Sequence, residues 1–231
     1  IDHCQRAALP DGHPDQYDIH SNIAVRAFRL NCEASKAGLK SIGREDLRVG
    51  AKNVIFGSGY GRSPEAIARQ LQEEGLDMHA ADAAQVQQAI YDTYPGIPPL
   101  QEALRRRAHN PCWVKNAFGR LRRVIPSNDR MTMGELERQF LNFPFQSEVA
   151  DAMSMALYHL MSHPMKEQLG YRCVLQIHDA VILEVPVRSL DYVHDVVLPE
   201  CMVDKVKFQA TDLDGVPYPG SPWYEFTIDR D

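Results

Sequence analysis

Two short apolar runs, Cys173 to Ile177 and Val181 to Val185, stand on either side of His178-Asp179-Ala180. Such runs read as strands, and a tight polar link between them makes a hairpin. Most of the remaining apolar pattern is helical. Ile23, Ala27 and Leu30 suggest a short helix from Ile19 to Leu30. Glu45 to Phe56 reads as a second, with Gly43 as its N-cap and acid in its first turn. Ser63 to Glu74 is a third, with Ser63 as N-cap and Pro64 at the first helical position. Ala80 to Tyr94 is a fourth, stopped by Pro95-Gly96, and Leu100 to Ala108 continues the helical region. The character changes near Trp113, where Cys112-Trp113-Val114 and Arg122 to Ile125 flank Ala117-Phe118-Gly119 as a hairpin. A long helical pattern from about Met133 to Met161 is expected to break at Pro144. Its second half places Val149, Met153, Ala156, Leu157 and Leu160 on one face, which should be buried. Leu190 to Cys201 reads as a helix and Val206 to Ala210 as a strand. Residues 1–17, rich in Pro, Gly, Asp and His, read as irregular. The expected class is α+β: a helical first half, then helices mixed with a small antiparallel sheet.

The 231 residues, 44% hydrophobic, suffice for one sizeable core or two lobes. No apolar run approaches the roughly 20 residues that span a bilayer, and no signal peptide is visible, so no membrane is expected. Five widely spaced cysteines with no CxxC suggest reduced thiols and a cytoplasmic setting rather than a disulfide framework or zinc site. The net charge of −6 weighs against nucleic acid binding but is uneven: residues 1–125 carry +3 and residues 126–231 carry −9. A basic half can meet phosphates while an acidic half holds cations; two solvated surfaces of opposite sign read the same way.

Three constellations carry chemistry. Arg48, Lys52, Phe56 and Tyr60 recur every four residues, so on a helix they form one slowly drifting stripe. Two cations suit a polyphosphate, and an aromatic further along suits stacking on a base. Gly57, Gly59 and Gly61 let another body come close to the backbone. A plain amphipathic helix with solvated cations has the same look. Asp179, at the tip of the downstream hairpin, is placed to bind a divalent cation, although a polar surface turn would look alike. Arg138, Asn142 and Gln146 are again four apart and can reach minor-groove acceptors shared by all base pairs; an exposed polar helix face is the competing interpretation.

In this order, these segments resemble the A family of DNA polymerases, the polymerase I-like enzymes. Arg48-x3-Lys52-x3-Phe56-Gly57-x2-Tyr60-Gly61 is similar to the family's fingers helix. Asp18-Ile19-His20-Ser21 and Thr93-Tyr94-Pro95-Gly96 resemble two further signatures. Glu137-Arg138-x3-Asn142-x-Pro144-x-Gln146 and Ala150-Asp151 resemble its duplex-contacting helices, and Ile177-His178-Asp179 its second catalytic carboxylate motif. The resemblance runs from about Tyr17 to Val185. It implies part of a right-hand polymerase, without the thumb: fingers over residues 18–125 and palm over 126–231. It implies template-directed transfer of nucleotide from a dNTP to a primer 3′-hydroxyl, with two Mg2+ ions. Asp179 would be a metal ligand. His20, Arg48 and Lys52 would bind the triphosphate, with Lys52 donating a proton to leaving pyrophosphate. Phe56 would lie against the nucleotide, which implies poor use of dideoxynucleotides, and Tyr60 beside the templating base. Arg138, Asn142, Gln146 and His178 would hold the primer–template DNA.

Three departures follow from the same resemblance. The family's first catalytic motif, roughly Asp-x-Ser-x-x-Glu-x-Arg, belongs upstream of Asp18 and does not occur in residues 1–17. The chain is therefore expected to be inactive alone, its missing N-terminal portion supplied in cis or in trans. Ala180 stands where a Glu often follows the hairpin Asp. Ser147-Glu148 replaces the usual Gly-Thr, where the Glu either repels DNA or turns away. The competing functions are a subunit of a split polymerase, a non-catalytic DNA- or nucleotide-binding remnant and a metal-independent interaction module. The compact spacing points to a bacteriophage-type enzyme, in a bacterial or phage-infected cell.

Overall fold

The computed structural model describes residues 17–221 and 223–225. The expectations for the segment before Tyr17 lie outside the described residues. The chain divides into two compact units that meet between Arg106 and Arg107.

The first unit is helical: α1 (Ile19–Phe28), α2 (Lys36–Ser41), α3 (Glu45–Gly59), α4 (Pro64–Glu73), α5 (Ala80–Thr93), and the start of α6 (Ile97–His109). Apolar positions recur at three- and four-residue steps, so each helix has one face to bury. In α3 that face is Leu47, Gly50, Ala51, Val54 and Ser58. It meets Ile23 and Ala24 of α1, Ile67, Ala68 and Leu71 of α4, and Ala83, Val86 and Ile90 of α5 in one core. Each fully buried Ile, Val or Leu there contributes about 1.5–3 kcal/mol over its exposed state. Ser63 caps α4 through its hydroxyl, with Pro64 in the first turn, as expected. The start of α3 differs: its N-cap is Arg44, which makes no side-chain cap bond, and Gly43 lies one residue earlier with φ +68°. Gly43 is needed for that left-handed turn, which places it outside the helix.

The second unit holds three two-stranded antiparallel ribbons among its described residues. β1 (Trp113–Lys115) pairs with β2 (Leu121–Arg123), β3 (Arg172–Ile177) with β4 (Ala180–Glu184), and β5 (Lys207–Gln209) with β6 (Trp223–Glu225). Both expected hairpins and the expected last strand are present. Helix α7 (Arg130–Met161) runs unbroken through Pro144, contrary to the expected interruption. Proline inside a helix costs about 3 kcal/mol, and buried residues on both sides of it, Phe140 and Leu141 before and Met153, Ala156 and Leu160 after, offset that cost. The buried face matches expectation at Met153, Ala156 and Leu160 and differs at two positions. Val149 is exposed and Leu157 half-buried, because the inward stripe is set by Ser147, Asp151 and Ala152. Val149 lies two residues from both Ser147 and Asp151, which turns it to the opposite side. After the short α8 (Lys166–Leu169), residues 187–204 are helical throughout, with wide π turns at Val193–Val197 and Glu200–Asp204. Their buried Val193, Val197 and Cys201 pack on Leu160, Leu169 and Tyr171. No helix among the described residues is long and apolar enough to cross a membrane.

Candidate functional site

Asp18 organises the first half of the site. It caps α1, accepting from the backbone N–H of His20 at 3.1 Å and of Ser21 at 3.2 Å, and from the Ser21 hydroxyl at 2.7 Å. The same carboxylate accepts from Arg48 Nε at 2.8 Å, tying α1 to α3. Burial pushes the Asp18 carboxyl up, but the bonds from Arg48 and Ser21 pull it further down, to below the ordinary carboxylate value. His20 sits beside this pair, its ring centroid 6.2 Å from that of Phe56. Its Nδ1 is buried and has no hydrogen-bond partner. Burial lowers the His20 pKa; Asp18 opposes the fall, while Arg48 and Lys52 add to it.

The expected stripe on α3 forms. Arg48 is half-buried, Lys52 is exposed and Phe56 is 52% exposed, so a large aromatic face stands open one turn from a cation. Tyr60 caps the helix C-terminus, and Gly61, at φ +71°, ends it. There the Arg62 N–H donates to Gly57 O at 2.9 Å and the Gly61 N–H to Ser58 O at 3.0 Å, a left-handed cap that satisfies otherwise orphaned carbonyls. The close neighbour that Gly57 admits is Ile67 of α4: a Cβ at position 57 would stand 2.8 Å from it.

Sequence reasoning missed two glutamines below this helix end. Buried Gln101 of α6 donates to Ser58 O at 2.6 Å, and Gln87 of α5 donates to Ser58 Oγ at 3.0 Å. They fix the turn that carries Tyr60.

The second unit holds the remaining expected residues. Asn142 and Gln146 line an open groove of ≈ 400 Å³ with Arg120, Arg122, Gln139 and Ser147. Arg122 Nε and Asn142 Oδ1, a donor and an acceptor, are buried there without protein partners. Arg138 is exposed one turn earlier on α7 and does not line the groove. The groove wall is the β1–β2 hairpin, held by Asn116, which sequence reasoning also missed. Buried Asn116 donates to Ser147 Oγ at 2.9 Å and to Asp151 Oδ2 at 2.7 Å, and accepts from the N–H groups of Phe118 at 3.1 Å and Arg120 at 2.9 Å. The Arg120 guanidinium grips Asp151 as well. Burial pushes the Asp151 carboxyl up, but Arg120 and Asn116 pull it lower still, to below its ordinary value. Glu148 turns to this hairpin, accepting from the Ala117 N–H at 3.2 Å; burial and the Asp151 charge push its carboxyl up.

His178 and Asp179 form the two-residue turn of the β3–β4 hairpin and are both exposed, His178 with φ +52°. No cluster of three or more His, Cys, Asp or Glu side chains fit to hold a metal occurs among the described residues. The exposed Asp179 carboxylate could supply one ligand to Mg2+, which takes one or two carboxylates together with phosphate oxygens and water; it is not by itself a cage. The Arg48 cluster belongs to the first unit and Asp179 to the second.

The geometry gives an expected titration. His20 is neutral at neutral pH, and its NMR midpoint should fall below that of an ordinary histidine. A histidine whose folded pKa is depressed binds fewer protons folded than unfolded, so stability falls as pH drops below that ordinary value toward the folded value. Asp18 adds a second loss as pH falls through its own depressed pKa. Asp18→Asn should lower the His20 midpoint further, because Asp18 supplies the charge that raises it. A midpoint that rises in that variant contradicts the arrangement.

Comparison with known proteins bears on most of the chain. The family model for DNA polymerase family A matches residues 3–218. DNA polymerase I of Lactococcus lactis subsp. lactis is 30% identical over 219 residues, covering 94% of this chain and 23% of that protein. The DNA polymerase of Escherichia phage T5 is 26% identical, over 90% of this chain and 25% of its own length. In structure, the POL domain of Pol1 from M. smegmatis, solved in complex with DNA primer-template and dNTP, matches with a TM-score of 0.67 at 24% identity. That match covers 91% of this chain and 34% of the other, and supports the α+β polymerase fold. The chain thus spans about a quarter of the length of these curated relatives. With its fold, its α3 stripe and its hairpin carboxylate set beside that match, the chain belongs to DNA polymerase family A.

Proposed function

We propose that this chain forms the nucleotide-binding and duplex-binding parts of a template-directed DNA polymerase. The observation that carries the reading is the convergence of His20 of α1 with Arg48, Lys52 and exposed Phe56 of α3, in a chain of this family. Asp18 takes only Nε of Arg48, so the Nη edge of the guanidinium can receive phosphate oxygens. Lys52 adds a mobile charge and is the proton donor for departing pyrophosphate. His20, kept neutral by burial, donates one hydrogen bond to a phosphate oxygen. The exposed Phe56 ring stacks on the nucleotide, and Tyr60 closes the pocket at the templating base. Residues 18–125 are then the fingers, taking in the β1–β2 hairpin of the second unit, and 126–231 the palm. Asn142 and Gln146 with Arg122, assisted by Arg138 and His178, hold the primer–template. Asp179 would supply a ligand to Mg2+, and bound magnesium would neutralise phosphate charge. The remaining parts, among them the first catalytic Asp, come from polypeptide outside residues 1–231, in cis or in trans.

The test uses steady-state primer extension by the complete polymerase. Arg48→Ala and Lys52→Ala should raise KM for dNTP and lower kcat by roughly 10²-fold or more, the scale of removing a charge stabiliser from a transition state. Duplex affinity should hold. Unchanged KM and kcat in both variants would exclude this nucleotide site.

A further inference from the structure

The β1–β2 hairpin supplies Arg120 and Arg122 to the groove, while α7 supplies Asn142 and Gln146. Donors and acceptors on separate elements read a duplex together only if the elements keep a fixed spacing. Asp151 of α7 holds Asn116 and Arg120, and two further, adjacent residues of α7 reach across to the same turn. Ser147 Oγ accepts from Asn116 Nδ2 at 2.9 Å, and Glu148 Oε1 accepts from the Ala117 N–H at 3.2 Å. Both bonds land on one turn, residues 116–120, whose far end is fixed when Asn116 Oδ1 accepts from the Arg120 N–H at 2.9 Å. Glu148 is half-buried, so its carboxylate is engaged by the protein. An outward-facing Glu beside Gln146 would repel DNA; this one is turned to the hairpin.

We propose that Ser147 and Glu148 are positioning residues that clamp the β1–β2 turn onto α7 and so set the spacing of Arg122 from Asn142 and Gln146 in the duplex groove. The proposal rests on the duplex reading given above. A clamp and a repelling charge predict opposite signs for one substitution. Glu148→Ala removes a negative charge and the acceptor together. Under the clamp it weakens duplex binding; under repulsion it tightens it. Glu148→Gln keeps an acceptor oxygen for the Ala117 N–H without the charge, and so restores binding under the clamp alone.

The experiment measures primer–template affinity of the complete polypeptide at fixed salt, with amide hydrogen exchange at Ala117. Glu148→Ala is expected to weaken binding roughly five- to tenfold, the worth of one hydrogen bond, and to speed exchange at Ala117. Glu148→Gln should recover most of both. Tighter binding in Glu148→Ala, or unchanged exchange at Ala117, overturns the clamp. So does faster exchange with unchanged affinity, provided that Gln146→Ala weakens binding in the same assay. Should Gln146→Ala and Asn142→Ala also leave binding unchanged, the duplex reading falls, and the clamp's role with it.

Discussion

Asp179→Ala in the complete polymerase is expected to lower primer extension by roughly 10²–10³-fold, with duplex affinity held or slightly improved. The size follows from what the carboxylate would do. It is the proposed anchor for magnesium on the β3–β4 hairpin, and the relief of phosphate charge during transfer depends on ions so placed. The interpretation would be clean because Asp179 is exposed on a two-residue turn. Surface substitutions of that kind usually change stability by no more than about 0.5 kcal/mol. Folding, followed by thermal melting, should therefore be unaffected while turnover collapses. Near-normal incorporation by the variant would remove Asp179 from the catalytic site and leave it a polar surface turn.

The largest effect on stability is expected at Asn116. Its amide offers two donor hydrogens and a two-acceptor oxygen, and the structure uses all of them: Ser147 and Asp151 take the donors, Phe118 and Arg120 supply the N–H groups. Asn116→Ala orphans two backbone donors and deprives the buried Asp151 of one of its partners, in a site where the asparagine is 1% exposed. Together these should cost about 3–5 kcal/mol, read from the shift of a urea unfolding midpoint. Asn116→Asp keeps the shape and the acceptor bonds but sets a second carboxylate against Asp151. Its deficit should shrink as pH falls and the introduced carboxyl takes up a proton. A change below about 1 kcal/mol for Asn116→Ala would show that the hairpin is held by strand pairing alone.

What the sequence disclosed follows from how local each signal is. The β3–β4 hairpin rests on two apolar runs about a short polar link and the α3 stripe on a four-residue spacing, so both were readable and both formed. The capping of α4 was equally local. Asn116 was not readable, because an asparagine ahead of a Gly-containing turn looks like ordinary turn chemistry. Its defining partners lie 31 and 35 residues away. Gln101 reaches 43 residues back to Ser58, and nothing local marks it. The break expected at Pro144 is a case of tertiary burial overriding local preference: the helix keeps a proline because both flanks pack inward. The second half buries Met153, Ala156 and Leu160 as expected but not Val149, for a related reason. Hydrophobicity chose Val149, whereas the inward positions are occupied by Ser147 and Asp151, polar residues buried because they are paired.

The shared carboxylate of Asp18 has a bearing on ligand valence. Arg48 and Lys52 stand one turn apart, like charges that would repel on a bare helix, and Asp18 already neutralises one of them. With His20 uncharged at neutral pH, the stripe at rest carries a surplus of one positive charge rather than three. An arriving anion therefore shares Arg48 with a counterion that two backbone amides and a hydroxyl hold in place. A monophosphate adds little to a cation so compensated. In the proposed nucleotide site, a triphosphate would gain most by reaching Lys52 and His20 as well as Arg48, whose charge Asp18 already offsets.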